Sequence, residues 1–207
     1  MELRISARGL RMAFNRRTIF AGIDFSVGHG ETLLVAGRNG SGKSTLVKIL
    51  CGLLTPTGGK VEMTGKKPLD VHARRGQIGL VAPYLQVYDE FSAMENMRLT
   101  MALRGLLSDD GAHRSLLERL ALDVRRSDPV RGFSSGMKQR LKYALALSHR
   151  PSVLVLDEPM ANLGTDGMAI VRTIMEEQHE KGILVVATND PSDVTAVHTR
   201  VDLNDRR

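Results

Sequence analysis

The chain has no tryptophan, three tyrosines and five phenylalanines, so aromatic residues are only 4% of its 207 positions. A surface that grips nucleic acid by stacking bases on aromatic rings has little to work with here. Cysteine is scarcer still. The lone Cys51 excludes an internal disulfide, and its place in a helical pattern suits a small buried core residue. No apolar run approaches about 18 residues, so no membrane-spanning helix is expected. The start carries arginines but also Glu2, and it lacks a continuous apolar stretch. A secretory leader is therefore not expected, and a cytoplasmic protein is.

Charge is unbalanced without being concentrated. Lys and Arg number 29 against 23 Asp and Glu, a net charge of +6. The excess is scattered as doublets: Arg16-Arg17, Lys66-Lys67, Arg74-Arg75, Arg125-Arg126 and Arg206-Arg207. Such scatter reads as solvated surface, and no nucleic-acid partner is expected. With 42% hydrophobic and 25% charged residues, the chain has the make-up of one soluble globular domain over 1–207.

What is present is a glycine-rich segment, Gly37-Arg38-Asn39-Gly40-Ser41-Gly42-Lys43-Ser44-Thr45, which fits G-x-x-x-x-G-K-[ST]. It follows the apolar run Leu33 to Ala36, which reads as a buried strand. It leads into Leu46, Val47, Ile49 and Leu50, spaced as one buried helix face. Strand, glycine loop and helix in that order form a phosphate cradle. Glycines let several N–H groups surround an anion without Cβ clashes. The helix N-terminus adds partial positive charge, and Lys43 adds a full one.

The rest of the chain supplies an α/β frame for this loop. Leu3 to Ala7, Ile23 to Val27 and Val61 to Thr64 alternate as antiparallel strands do. Ile78 to Ala82, Val153 to Leu156 and Ile183 to Ala187 are continuous apolar runs, suited to a parallel sheet covered on both faces. Ser92-Ala93-Met94-Glu95 is a capping-box pattern opening a helix toward Leu107. Further helices are expected over Ala112 to Leu122 and Gly136 to His149, and around Met168, Val171, Ile174 and Met175. The expected architecture is a phosphate-loop core with a mainly parallel sheet, an N-terminal antiparallel β subdomain and a helical insertion at roughly 88–150.

A second constellation lies at Val153-Leu154-Val155-Leu156-Asp157-Glu158-Pro159, an apolar strand ending in two carboxylates. In a phosphate-loop fold, Asp157 suits the shell of Mg2+ while the Ser44 hydroxyl contacts the metal. Successive strand residues point to opposite sides, so Glu158 suits a different task, polarising an attacking water.

Upstream of this strand stands Phe133-Ser134-Ser135-Gly136-Met137-Lys138-Gln139-Arg140. With it the chain resembles the nucleotide-binding subunit of ABC (ATP-binding cassette) transporters, whose signature is L-S-G-G-Q. Ser134 and Gly136 keep that pattern, whereas Phe133, Ser135 and Met137 depart from it. The resemblance implies ATP and Mg2+ as ligands. It also implies a head-to-tail homodimer in which Ser134, Ser135 and Gly136 cap the ATP held by the partner copy. It implies stacking of Phe14 on adenine, and integral-membrane transporter subunits as partners, approached by Tyr84 to Glu90. The chain would then lie peripherally on the inner face of the cell membrane.

The same resemblance places Pro83 where the family keeps a glutamine, with Gln86 as a substitute metal contact three residues on. Gly164 stands at the place of an aspartate, and Asn189 at that of the switch histidine. Asn189 can donate a hydrogen bond but cannot carry a proton. Two readings follow: a working, slow ATPase run by Glu158, Lys43 and Asn189, or an ATP-binding subunit that hardly hydrolyses. A soluble ABC ATPase unconnected with transport is a third. In length the chain is similar to the compact ATP-binding subunit of cytochrome c maturation.

Overall fold

The computed structural model describes residues 3–123 and 127–204. Glu2 and the doublets Arg125-Arg126 and Arg206-Arg207 lie outside the described residues. The chain opens with a hairpin of β1 (Arg4–Phe14) and β2 (Arg17–Gly28), turned through Asn15 and Arg16. Both turn residues have positive φ, 46° and 67°, as a tight two-residue hairpin loop demands. These strands run well past the alternating stretches legible in the sequence. Register shifts between Ala7 and Leu10, and again near Met12, break the period of two, so the pattern loses phase while the pairing continues.

The first parallel strand, β3 (Thr32–Ala36), is followed by α1 (Lys43–Leu50). Next, β4 (Gly58–Thr64) returns to pair with β1, giving the antiparallel order β2-β1-β4. A short helix not expected from the sequence, α2 (Val71–Gly76), is capped by the Asp70 side chain. Then come β5 (Ile78–Val81) and the helices α3 (Ala93–Leu103), α4 (Asp110–Arg119) and α5 (Ser135–Leu147). The chain closes with β6 (Val153–Asp157), α6 (Thr165–Lys181), β7 (Ile183–Thr188) and β8 (Thr199–Asp202). Five parallel strands lie in the order β5-β6-β7-β3-β8.

The Ser92–Glu95 capping box is present, but α3 ends at Leu103 rather than near Leu107. Gly105 takes φ 68°, and the amides of Gly105 and Leu106 donate to Ala102 and Met101, which closes the helix. Helix α4 starts and stops two or three residues earlier than the apolar spacing predicts, because Asp109 caps it by accepting from the Ala112 amide. The unforeseen β8 is an edge strand with only Val201 buried, so it carries no apolar run.

Two cores flank the parallel sheet. On one face Leu33, Val35, Val153 and Val185 meet α1 and the antiparallel sheet. On the other, Leu34, Leu154, Leu156 and Val186 meet α5 and α6, including Leu141, Tyr143 and Val171. Burial of β3, β6 and β7 on both faces accounts for their unbroken apolar runs.

Candidate functional site

Register brings the C-terminal ends of three strands into line: Ala36 pairs with Thr188, and Asp157 with Ala187. Ligands of open α/β sheets bind at this edge, and here the glycine loop leaves β3. Gly42, the residue before α1, takes φ 107°, and a Cβ there would stand 2.6 Å from Ile19. At Gly37 a Cβ would overlap the Ser41 hydroxyl. No side chain caps α1. Its first-turn N–H groups, which have no partner within the helix, therefore face outward with the positive end of the helix dipole.

Lys43 is only 5% exposed. Its Nζ donates to the Gly37 carbonyl at 2.8 Å and to that of Arg38 at 3.4 Å, and pairs with Glu158 Oε1 at 3.1 Å. Glycines 40 and 42, Lys43, Ser44, Thr45 and Glu158 line one cavity of about 360 Å³ beside the loop, joined by Asn39 and Ile19. Ser41 is buried beneath it, its hydroxyl without a partner among the described residues.

Asp157 is fully buried, and neither carboxylate oxygen has a hydrogen-bond partner among the described residues. Burial raises its pKa above the usual carboxylate range; the Ser44 hydroxyl, close by though outside hydrogen-bonding geometry, opposes this, and Glu158 adds to it. A buried, unsatisfied carboxylate beside a hydroxyl is a hard-oxygen donor set, and it fits Mg2+. Among the described residues no group of three His, Cys, Asp or Glu forms a metal cluster. Mg2+ needs none, since it is commonly held by one or two carboxylates with waters and phosphates.

Glu158 follows the last residue of β6 with φ 51°, a left-handed conformation that costs a non-glycine residue about 1–2 kcal/mol. Its amide donates to the Ala187 carbonyl at 2.8 Å, which fixes the turn. Asp157 and Glu158 do diverge, but the backbone turn, more than strand pleating, swings Glu158 to the loop. Its side chain is 28% exposed.

The other expected residues are distributed around this centre. Asn189 lies just past β7 and lines a neighbouring cavity of about 320 Å³ with Gly37, Arg38 and Asn39. Phe14 is exposed at the end of β1, in the hairpin whose Ile19 reaches the loop. Ser134 caps α5 by accepting from the Met137 amide at 3.2 Å; Ser135 beside it is exposed, and neither they nor Gly136 line the loop cavity. Gln86 is exposed, and the Asp157 carboxylate oxygens accept from no residue among those described, so this conformation does not bring Gln86 to the carboxylate. Cys51 is buried as expected, and burial pushes its thiol up to about 12.

Two nearby residues were not expected at this site, Tyr84 being expected only at the start of the stretch that approaches a membrane partner. Ile19 forms the wall against Gly42, signalled only by alternation in β2. Tyr84 has a buried phenol oxygen and sits with its ring 4.3 Å from Lys48 Nζ, and no motif marks it.

Comparison with known proteins identifies the family. The ABC transporter family profile matches residues 20–161. The lipoprotein-releasing system ATP-binding protein LolD 1 of Caulobacter vibrioides is 33% identical over 98% of this chain and 93% of its own. The cytochrome c biogenesis ATP-binding export protein CcmA of Nitrosomonas europaea is 31% identical over 89% of this chain and 87% of its own. Similar identity to both leaves the cytochrome c likeness one among several. The solved structure of an ATP-binding subunit of an ABC transporter superposes with a TM-score of 0.80 at 27% identity, over 91% of this chain and 80% of that one. The chain belongs to the ABC transporter family, as one of its ATP-binding subunits.

Proposed function

We propose that the chain binds ATP with Mg2+ and hydrolyses it as the motor of a transporter whose membrane-spanning subunits are separate chains. The observation that carries this reading is the meeting of Lys43, Glu158 and the unpartnered Asp157 at the uncapped N-terminus of α1. Phosphate oxygens would take the loop and first-turn N–H groups. They would also compete with Glu158 for the Lys43 ammonium. Once that pair opens, Glu158 is free to accept a proton from the attacking water. Asn189, across the loop at Asn39, would donate a hydrogen bond toward the terminal phosphate. Mg2+, held by Ser44 and Asp157, would neutralise charge on the phosphates. Phe14 would stack on the adenine.

The signature residues point to a composite site. Ser134 and Ser135 are exposed at the N-terminus of α5 and line no part of their own chain's loop cavity. They suit the ATP of a second copy, in a head-to-tail dimer. The chain acts as one unit over 1–207, with the helices between roughly 88 and 150 as the subdomain that carries this segment.

A membrane partner has a suitable seat. Between the start of β5 and the ends of α3 and α5 runs a groove of about 430 Å³, lined by Ile78, Leu80, Leu85 and Leu145. At its rim Leu53 is 53% and Leu103 71% exposed. Beside it the 88–92 turn is pinned by buried Asn96, which accepts from the Tyr88 amide at 2.9 Å and donates to the Tyr88 and Ser92 carbonyls at 3.0 Å. An apolar trough beside a rigid loop suits an amphipathic helix from a membrane subunit, which would hold the chain at the inner face of the membrane.

Hydrolysis is favoured over mere binding because Lys43, Ser44, Asp157 and Glu158 are all in place despite Pro83, Gly164 and Asn189. Phosphate release with Mg2+ and ATP, by the chain alone and co-purified with its membrane subunit, tests the proposal. Turnover in both, faster in the complex, is expected; nucleotide binding without release in either would leave a binding subunit only.

A further inference from the structure

Tyr84 follows Pro83 directly, so the chain offers a phenol one residue beyond the proline. The Tyr84 oxygen is buried and has no hydrogen-bond partner among the described residues. The ring is held by Lys48, whose Nζ lies 4.3 Å from its centroid. Lys48 is one helical turn beyond Ser44 on α1, so the two side chains share a face of that helix. Both act on Asp157, Ser44 the more strongly, and each favours its ionised form. Burial pushes the Tyr84 phenol up, and the Asp157 charge, within electrostatic reach, adds to this. Tyr84 thus meets Lys48 on the α1 face that carries Ser44, and it lies three residues past Val81, which pairs with Leu156, the neighbour of Asp157.

Among the described residues three buried oxygens here lack partners: the Tyr84 hydroxyl and both oxygens of Asp157. Each unmet buried polar atom costs about 1–3 kcal/mol, and native proteins keep few of them. These three, with the Ser44 hydroxyl, suit a hydrated divalent cation. We propose that Tyr84 is a positioning residue for the Mg2+ of the nucleotide site, its phenol oxygen accepting a hydrogen bond from a water on the cation. The inference rests on the reading of this site as one for Mg2+ and ATP. It also gives the 84–90 stretch, which faces the membrane partner in that reading, a direct contact with the metal's water shell.

Tyr84→Phe keeps the ring over Lys48 and removes only the oxygen. Mn2+ binding to the chain saturated with ADP, followed by electron paramagnetic resonance, should weaken about tenfold, as loss of one charge-assisted hydrogen bond predicts. Affinity for a fluorescent ATP analogue in chelator, without metal, should match that of the unchanged chain. Equal Mn2+ affinity in the two proteins overturns the proposal. So does weakening in Gln86→Ala with none in Tyr84→Phe, which transfers the role to Gln86. An unchanged chain that takes up neither Mn2+ nor nucleotide overturns the site reading itself, together with this inference.

Discussion

At Glu158 the backbone accepts a conformation that glutamate disfavours, φ 51°, to place a carboxylate 3.1 Å from the phosphate-loop lysine. Strain of this kind persists only where its surroundings enforce it, and here the Ala187 hydrogen bond does so. Glu158→Gln keeps the shape and removes the proposed base. Phosphate release should fall by about 10²–10⁴-fold while ATP still binds; unaffected turnover would remove Glu158 from the base role. Asn189→His should preserve or raise turnover, measured in the same assay; lost activity with nucleotide binding intact would count against a role for Asn189 near the phosphates. Lys43, Ser44, Asp157 and Glu158 were legible in the sequence because each is fixed by a local motif. Ile19 and Tyr84 were not, since they enter the site from elements far from the loop in sequence and only tertiary packing brings them there.

Among the elements, the parallel strands and amphipathic helices were the most legible, because burial on both faces or on one face writes directly into the apolar pattern. Strand β8 escaped because an edge strand buries little, and the extension of β1 escaped because its bulges shift the period. The packing of α5 on β5 has a titratable seam. His149, just past α5, donates from Nε2 to the Ile78 carbonyl at 3.1 Å. Burial, and then the nearby Arg104 charge, lower its pKa to about 4, against about 6.5 in an unfolded chain. Between those values the unfolded chain binds the proton that the folded one excludes. This group's contribution to stability is therefore full above about pH 6.5 and lost as pH falls toward 4. The displacement corresponds to about 3 kcal/mol, reduced to roughly 1–2 kcal/mol by partial exposure. Denaturant midpoints of His149→Gln should accordingly vary less between pH 4 and 6.5 than those of the unchanged chain; equal variation would exclude His149 as the source.

For the whole molecule, the sequence disclosed family and fold, but only the folded chain shows how the candidate site residues divide. One group, Lys43, Ser44, Asp157 and Glu158, is gathered around the loop; the other, Ser134 to Gly136, sits on α5 outside that cavity. On our account, two copies bring the groups together, so that the glycine loop of one chain works only against α5 of the other. Sedimentation velocity of Glu158→Gln with Mg2+ and saturating ATP tests this most directly. A dimer that forms with ATP and dissociates when the nucleotide is removed is the predicted result; an ATP-loaded species that stays monomeric at micromolar concentration would contradict it.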